Sequence, residues 1–311
     1  MSITRTFIAV VASAAAVVAT AAAAQAMSLG AWSPAVNAES ISGTSGNLNS
    51  AALEGCGFVA QRDDVLYFAS NRSGGMGGLD IWYSPRNANG AWGDPVNFAA
   101  VNSPADDFCP SAHRNGKTFL FVSSRAGGCG GSDIYATRLH TTRGWAPPQN
   151  LGCTVNSSAE DAGPYLHEDE LYFSSSRAGG FASDTPGATA GDSDVYVGIF
   201  DGASFATPTL APGLNTAQND NRPNLRRDGL EIFFDSNRKG GIGGLDLWTS
   251  TRATTSGQWS VPTNLGSDVN SSVNDLRPTL SWDGTTLYFG SVRAGGQGSQ
   301  DLYVTTREQL R

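Results

Sequence analysis

The chain has 311 residues, of which 38 are glycine, and its 28 acidic and 20 basic side chains give a formal net charge of −8. An acidic surface is a poor match for nucleic acid or an anionic membrane, so neither is expected as a partner. Aromatic residues and short apolar runs broken by glycine and asparagine turns predict an all-β protein.

The first predicted element is a secretory signal peptide at residues 1–26. One arginine precedes an alanine-rich apolar run that ends in AQA, and cleavage is expected after Ala26. An uncleaved anchor and a lipoprotein signal are the alternatives, and the absence of a nearby cysteine argues against the second. No later stretch is apolar enough to span a bilayer. We expect a periplasmic or secreted protein without a transmembrane segment.

A glycine-rich loop then occurs five times along the chain. The first copy reads SNRSGGMGGLDIW over residues 70–82, and the third is stretched by the insertion FASDTPGATAGDSD at 181–194. Each copy holds one arginine and one closing aspartate: Arg72 and Asp80, Arg125 and Asp133, Arg177 and Asp194, Arg238 and Asp246, and Arg293 and Asp301. A period of roughly 50 residues is typical of a propeller or another repeat array.

Each repeat contains four short extended segments, which is the content of one propeller blade. The predicted fold is therefore a five-bladed β-propeller over residues 27–311. Its blades are expected at approximately 51–98, 105–151, 158–210, 217–265 and 272–311. The last repeat has no outer strand, and residues 30–37 are predicted to supply it and close the ring. We expect a monomer.

The repeat unit resembles the WD40-like repeats of TolB and its exported bacterial relatives. The shared pattern is P-x-L-S-x-D-G-x-x-L-Y-F-x-S-x-R-x-G-G-x-G-G-x-D-L-Y, and its copies cover nearly all of the chain after residue 26. The resemblance implies a propeller that serves as a protein-binding platform at the cell envelope. TolB has six blades rather than five, so the partner of TolB is not carried over.

The glycine loop itself has three interpretations. Calcium-binding copies must follow one another every nine residues, and a phosphate cradle must open a helix, whereas these copies lie more than fifty residues apart and lead into strands. A structural hairpin is favoured, in which the aspartate accepts backbone N–H groups and the arginine reaches a nearby carboxylate. The repeat supplies Glu54, Asp107, Asp161, Asp220 and Asp275 for that purpose. No metal or cofactor is expected.

Positions that differ between blades are the candidates for ligand binding. Strand alternation should point every second residue of the innermost segment into the channel. The hypothesised site at the channel mouth contains Arg222, Arg277, Arg226, Tyr165, His113 and His167. An arginine cluster suits the carboxylate of a peptide terminus or an acidic sugar, and the alternative is that these arginines pair with the repeat carboxylates. Two histidines without a repeating third ligand do not predict a metal site.

The four cysteines of an exported chain predict two disulfides. The simplest pairs are Cys129 with Cys153 and Cys56 with Cys109, although three connectivities stay open. For the second pair, adjacent inner strands are expected to hold the Cα atoms near or beyond the limit of a bridge. The aspartates of the insertion, Asp184, Asp192 and Asp194, could hold a cation, but an ordinary loop is favoured.

The function expected from these features is non-enzymatic binding of an envelope protein or of an acidic peptide or saccharide. The alternative is a propeller-fold glycoside hydrolase or polysaccharide lyase acting in the central channel. Glycosidase chemistry needs two carboxyl groups in different environments, whereas the carboxylates found here repeat once per blade. No GxSxG nucleophile motif occurs either. On these grounds the sequence predicts that the chain is not an enzyme.

Overall fold

The computed structural model describes residues 28–60, 64–181, 192–202 and 204–310. The predicted signal peptide, residues 1–26, and Asp184 of the insertion lie outside these ranges. Within them, no helix is long and apolar enough to cross a membrane. The single helical segment described is a 3-10 turn at Ala38–Ser40.

Five antiparallel sheets form the five blades, each built in chain order from the central channel outwards. Blade one contains β3 (Glu54–Val59), β4 (Val65–Ser70), β5 (Asp80–Pro85) and β6 (Val96–Asn97). Blade two contains β7 (Asp107–Ala112), β8 (Thr118–Ser123), β9 (Asp133–His140), β10 (Gly144–Trp145) and β11 (Gln149–Asn150). Blade three contains β12 (Asp161–His167), β13 (Glu170–Ser175), β14 (Asp194–Ile199) and β15 (Thr209–Leu210).

Blades four and five complete the ring. Blade four contains β16 (Asp220–Leu225), β17 (Glu231–Ser236), β18 (Asp246–Thr251) and β19 (Thr263–Asn264). Blade five contains β20 (Asp275–Leu280), β21 (Thr286–Ser291) and β22 (Asp301–Thr306). The innermost strands contact one another around the channel, and β20 returns to contact β3. The predicted five-bladed propeller is confirmed.

The first described strands close this ring. β2 (Val36–Asn37) pairs antiparallel with β22, with Val36 opposite Val304, and so becomes the outer strand of blade five. β1 (Ser28–Leu29) pairs with β23 (Gln309–Leu310) beside it. The predicted closure by an N-terminal outer strand is confirmed, and the open edge of the last blade is covered.

Apolar side chains hold the blades together face to face. The second strand of each blade is covered on both faces, so its sequence is an almost continuous apolar run, as in TFLFVS of β8. One core cluster, for example, joins Phe233 of blade four to Leu287 and Phe289 of blade five, and all three side chains are fully buried. Burial of such side chains contributes about 1.5–3 kcal/mol each.

The glycine hairpins are held in place by contacts that recur from blade to blade. In every blade the repeat arginine forms an ion pair with the predicted carboxylate, which is itself completely buried: Arg72 with Glu54, Arg125 with Asp107, Arg177 with Asp161, Arg238 with Asp220, and Arg293 with Asp275. The closing aspartate accepts hairpin N–H groups, and Oδ2 of Asp80 takes those of Met76 and Gly77 over 2.8 and 3.2 Å.

The hairpins of blades one, two, four and five also pack on the next blade. A Cβ on Gly77 would lie 2.1 Å from the carbonyl oxygen of Ala105, so only glycine allows this approach. The glycine hairpins and the loops before the inner strands therefore lie on one side of the ring, which we call the hairpin face. The opposite side carries the turns between the first and second strands at 113–117, 168–169, 226–230 and 281–285, and we call it the turn face.

Candidate functional site

The inner strand of every blade bulges at one repeat position. The backbone there adopts a left-handed conformation, with φ of 49° at Cys56, 47° at Cys109, 60° at Gly163, 52° at Arg222 and 62° at Arg277. Four of these residues are not glycine, and a left-handed conformation costs such residues roughly 1–2 kcal/mol each. A bulge of this kind inserts an extra residue and re-aims its side chain.

The bulge brings side chains of neighbouring blades together at the hairpin-face end of the channel. Cys56 of blade one and Cys109 of blade two form a disulfide with 4.7 Å between their Cα atoms. Arg222 of blade four and Arg277 of blade five line the same cavity. Gly163 of blade three completes the ring, because a Cβ there would lie 2.9 Å from the Cα atom of Arg222. The five bulge positions thus converge on one small space.

A buried carboxylate from a second strand fixes the two arginines. Asp235 of β17 is completely buried, and its Oδ2 lies 3.0 Å from Nη1 of Arg222. Its Oδ1 accepts the main-chain N–H of Arg277 over 2.8 Å. Burial raises the pKa of Asp235, while the guanidinium of Arg222 opposes that shift. The alternative that these arginines pair with the repeat carboxylates does not hold for Arg222, because its partner is Asp235.

The guanidinium of Arg277 is not satisfied by its surroundings. Its Nε and Nη1 atoms are buried and have no hydrogen-bond partner among the described residues. Burial and the neighbouring Arg222 lower the pKa of Arg277 to about 9. Two guanidinium groups and one carboxylate give this cluster a net charge of +1 at neutral pH. The cluster therefore has more hydrogen-bond donors and more positive charge than its own carboxylate satisfies.

The cavity beside these arginines is small. Its volume is about 30 Å³, and its wall is made by the bulge residues with the prolines and the aromatic ring of Phe58. Such a volume suits one water-sized group. No Asp or Glu belongs to its lining. The site can therefore accept one anionic group from the hairpin face.

The other residues of the hypothesised channel mouth lie towards the turn face, so the six do not form one site. Arg226 is bound by Asp228 and Glu231 over 2.8 and 2.9 Å. Tyr165 and His167 line a second cavity of about 30 Å³, again without an acidic residue. His113 lines a different cavity, between blades two and three. Four residues of strand separate Arg222 from Arg226, which is about 13 Å.

Sequence reasoning missed Asp235, which is the central acid of the site. The equivalent positions in the other blades hold Ala69, Val122, Ser174 and Gly290. A single charged residue among small and apolar ones, in the segment EIFFDSNR, is the signal that could have revealed it. Asp235 belongs to one blade only, so not every carboxylate near the channel end repeats once per blade.

Both predicted disulfides are present, and the described part of the chain has no free cysteine. Cys129 and Cys153 are bridged with 5.6 Å between their Cα atoms. Disulfides are typical of oxidising compartments outside the cytoplasm.

The described part of the blade-three insertion contains Asp192 and Asp194. Oδ2 of Asp194 accepts the N–H of Phe181 over 2.9 Å, and burial raises the pKa of Asp194 to about 6. Within the described ranges, no group of three or more His, Cys, Asp or Glu residues is placed to hold a metal ion.

Comparison with known proteins adds the fold but no family. No protein-family model and no curated protein sequence matches the chain. An endo-arabinase from Bacteroides thetaiotaomicron matches with a TM-score of 0.55 and 14% identity, over 90% of this chain and 98% of the other. A GH43_12 protein retrieved from a capybara gut metagenome matches with a TM-score of 0.54 and 13% identity, over 89% and 57%.

TolB from Acinetobacter baumannii matches with a TM-score of 0.46 and 15% identity, over 82% of this chain and 54% of TolB. The chain thus spans little more than half the length of TolB and of the GH43_12 protein. These identities show the propeller fold alone. TolB structures are thus among the matches, and no family model supports the predicted WD40-like identity of the repeats.

The prediction that the chain is not an enzyme, which rested on the repeating carboxylates and the missing GxSxG motif, is wrong. The same fold is found in the endo-arabinase and in the GH43_12 protein, both with TM-scores above 0.5. A propeller of this kind is found in glycoside hydrolases, so the fold gives no ground for excluding enzymatic activity.

Proposed function

We propose that the chain binds a carboxylate group, carried by an acidic peptide or an acidic saccharide, at the hairpin-face end of its channel. The observation that carries this proposal is Arg277, whose buried Nε and Nη1 atoms have no partner among the described residues. A buried cation without a partner costs several kcal/mol. A carboxylate would supply the missing acceptor through charge-assisted hydrogen bonds.

The cavity is large enough for one functional group of a ligand but not for a whole ligand. About 30 Å³ admits one carboxylate oxygen, and the rest of the ligand would then lie on the hairpin face. The chain as a whole has a formal net charge of −8, so this positive cluster is opposite in sign to the rest of the protein.

We also infer that the protein acts in the periplasm or outside the cell, where its two disulfides are stable.

Isothermal titration with acetate tests the proposal. Wild-type protein should bind acetate at one site, and Arg277→Gln should lose at least about tenfold in affinity, because charged hydrogen bonds contribute about 1.5–3 kcal/mol. Arg143→Gln, at an exposed loop position, is the matched control and should bind as the wild type does. A hexaglutamate peptide and trigalacturonate then distinguish the two classes of ligand. Equal acetate affinity in wild type and Arg277→Gln would rule out this site.

A further inference from the structure

On the turn face, an arginine joins blade four to blade three. Arg252 lies 4.4 Å above the ring of Trp259, and its Nη2 reaches Oε2 of Glu170 over 3.1 Å. Blade five is joined to blade four in the same way. Arg307 lies 4.3 Å above Trp32 and binds both carboxylate oxygens of Glu231 over 2.8 and 2.7 Å. We call this arrangement of arginine, tryptophan and glutamate the blade strut.

Two further interfaces between blades are filled by aromatic rings. Between blades one and five, Trp92 is almost completely buried, and its Nε1 donates to the hydroxyl of Tyr288 over 3.0 Å. Between blades two and one, Trp145 packs on Phe98 and Phe119 with ring centroids 5.6 and 5.8 Å apart. Four of the five interfaces are therefore bridged on the turn face, either by a blade strut or by aromatic rings.

The interface between blades two and three lacks all three parts of the strut. Phe200 stands at the arginine position, Phe205 at the tryptophan position and Thr118 at the glutamate position. Leu120 replaces the aromatic ring that the other blades place two residues further along the strand. The rings of Phe200 and Phe205 pack on each other, with centroids 5.0 Å apart, and do not bridge the gap. These replacements leave a cavity of about 660 Å³.

This cavity has an apolar side and a polar side. Leu120, Leu166, Val155, Pro147 and Phe205 form an apolar wall. His113 lines the same space, and its Nδ1 accepts the N–H of Asn115 over 3.4 Å. The proton of the neutral ring is therefore on Nε2, which is buried and has no partner among the described residues.

A positive charge lies at the rim of the cavity, in addition to the donor of His113. Burial lowers the pKa of His113, which keeps its ring neutral at neutral pH. Arg138 is an exposed rim residue that forms no ion pair within the described ranges, whereas Glu168 is neutralised by Arg114. The cavity thus offers an apolar wall, one unsatisfied donor and one positive charge.

We propose that the cavity between blades two and three binds a small amphipathic molecule with an apolar body and an anionic oxygen group at one end. The apolar body would lie against Leu120 and Phe205, and the oxygen group would accept from Nε2 of His113 and face Arg138. A volume of 660 Å³ is in the range of small-molecule sites, which is about 300–1,000 Å³.

Fluorescence titration with 8-anilinonaphthalene-1-sulfonate tests this proposal, because the probe combines an aromatic body with an anionic oxygen group. Wild-type protein should bind one equivalent, and decanoate should displace it. Leu120→Tyr places in this gap the ring that Tyr172 provides in blade three, and should weaken binding roughly tenfold or more by filling the cavity. Val261→Tyr, at an exposed position in blade four, is the matched control and should leave the titration unchanged.

Two further variants keep the test independent of how well Leu120→Tyr folds. His113→Phe keeps the ring but removes the donor, and should weaken probe binding about fivefold or more. The double change Thr118→Glu with Phe200→Arg restores the strut chemistry of the other interfaces and should abolish binding. Absence of saturable binding to the wild type at about 1 mM probe, or the same affinity in all three variants, would overturn the proposal.

Discussion

Oδ1 of Asp235 accepts the main-chain N–H of Arg277 over 2.8 Å, so a side chain of blade four holds the bulge of blade five in place. The other oxygen of Asp235 is paired with Arg222. One buried carboxylate thus positions both guanidinium groups at the channel end, although it compensates the charge of only one of them.

Removal of this carboxylate should be costly. We expect Asp235→Ala to lower the free energy of unfolding by about 3–5 kcal/mol, because it leaves two buried arginines without an opposite charge. Ser174→Ala, at the equivalent position of blade three, removes one hydrogen bond and should cost about 1 kcal/mol. Urea denaturation measures both. Similar costs for the two variants would show that Asp235 does not hold the arginine pair.

The ion pairs of the repeat should contribute much more to the free energy of unfolding than ion pairs at the surface. Arg238 is buried with Asp220 and lies 4.7 Å from the ring centroid of Phe234, so Arg238→Ala should cost about 3–5 kcal/mol. Arg114 and Glu168 are both nearly half exposed, so Arg114→Ala should cost less than about 1 kcal/mol. Chemical denaturation of both variants checks this, and the reverse order would contradict a structural role for the hairpin arginines.

Both disulfides should contribute to stability through the loops that they close. The Cys129–Cys153 bridge spans 24 residues and the Cys56–Cys109 bridge spans 53. The chain-entropy relation gives about 3.5 kcal/mol for the shorter loop and about 4 kcal/mol for the longer one. Paired Cys→Ser variants, compared in guanidinium denaturation, measure these contributions. An unchanged unfolding midpoint in either variant would contradict the bridge concerned.

Asp194 should make the folded protein less stable as pH rises, which is the opposite of the effect of a carboxylate whose pKa is lowered by folding. Burial raises its pKa from the ordinary value of 3.8 to about 6, so the folded state retains a proton that the unfolded state has released. The contribution of Asp194 to stability therefore falls as pH rises from about 4 to about 6. We expect Asp194→Asn to gain stability relative to the wild type over that window. A carboxyl-carbon NMR titration with a midpoint near 4 would contradict this.

Features that repeat were predictable from the sequence, and features of a single blade were largely not. Five copies of one pattern predicted the number of blades, the closing strand and the carboxylate partner of each hairpin arginine. This was possible because the same contacts recur in every blade. The bulge was missed because strict alternation was assumed, whereas an inserted residue at Arg222 or Arg277 shifts the register. The proline that follows the bulge in four blades was the available signal.

The same bulge explains two corrections. Regular inner strands would hold Cys56 and Cys109 too far apart, but the bulge brings their Cα atoms to 4.7 Å. It also directs Arg222 and Arg277 to the hairpin face, while Arg226 follows the regular strand to the turn face and pairs there with Glu231. Residues at the same repeat position in different blades are therefore a better guide to one site than residues along the same strand.

The central claim is that an uncompensated guanidinium at the channel end receives an anionic group. Anomalous diffraction from crystals soaked in bromide tests it most directly, because bromide can stand in for one carboxylate oxygen. The account predicts a bromide peak within about 3.5 Å of the Arg277 guanidinium, and no peak there in crystals of Arg277→Gln. An empty channel end in the wild type, with bromide bound at other sites, would contradict it.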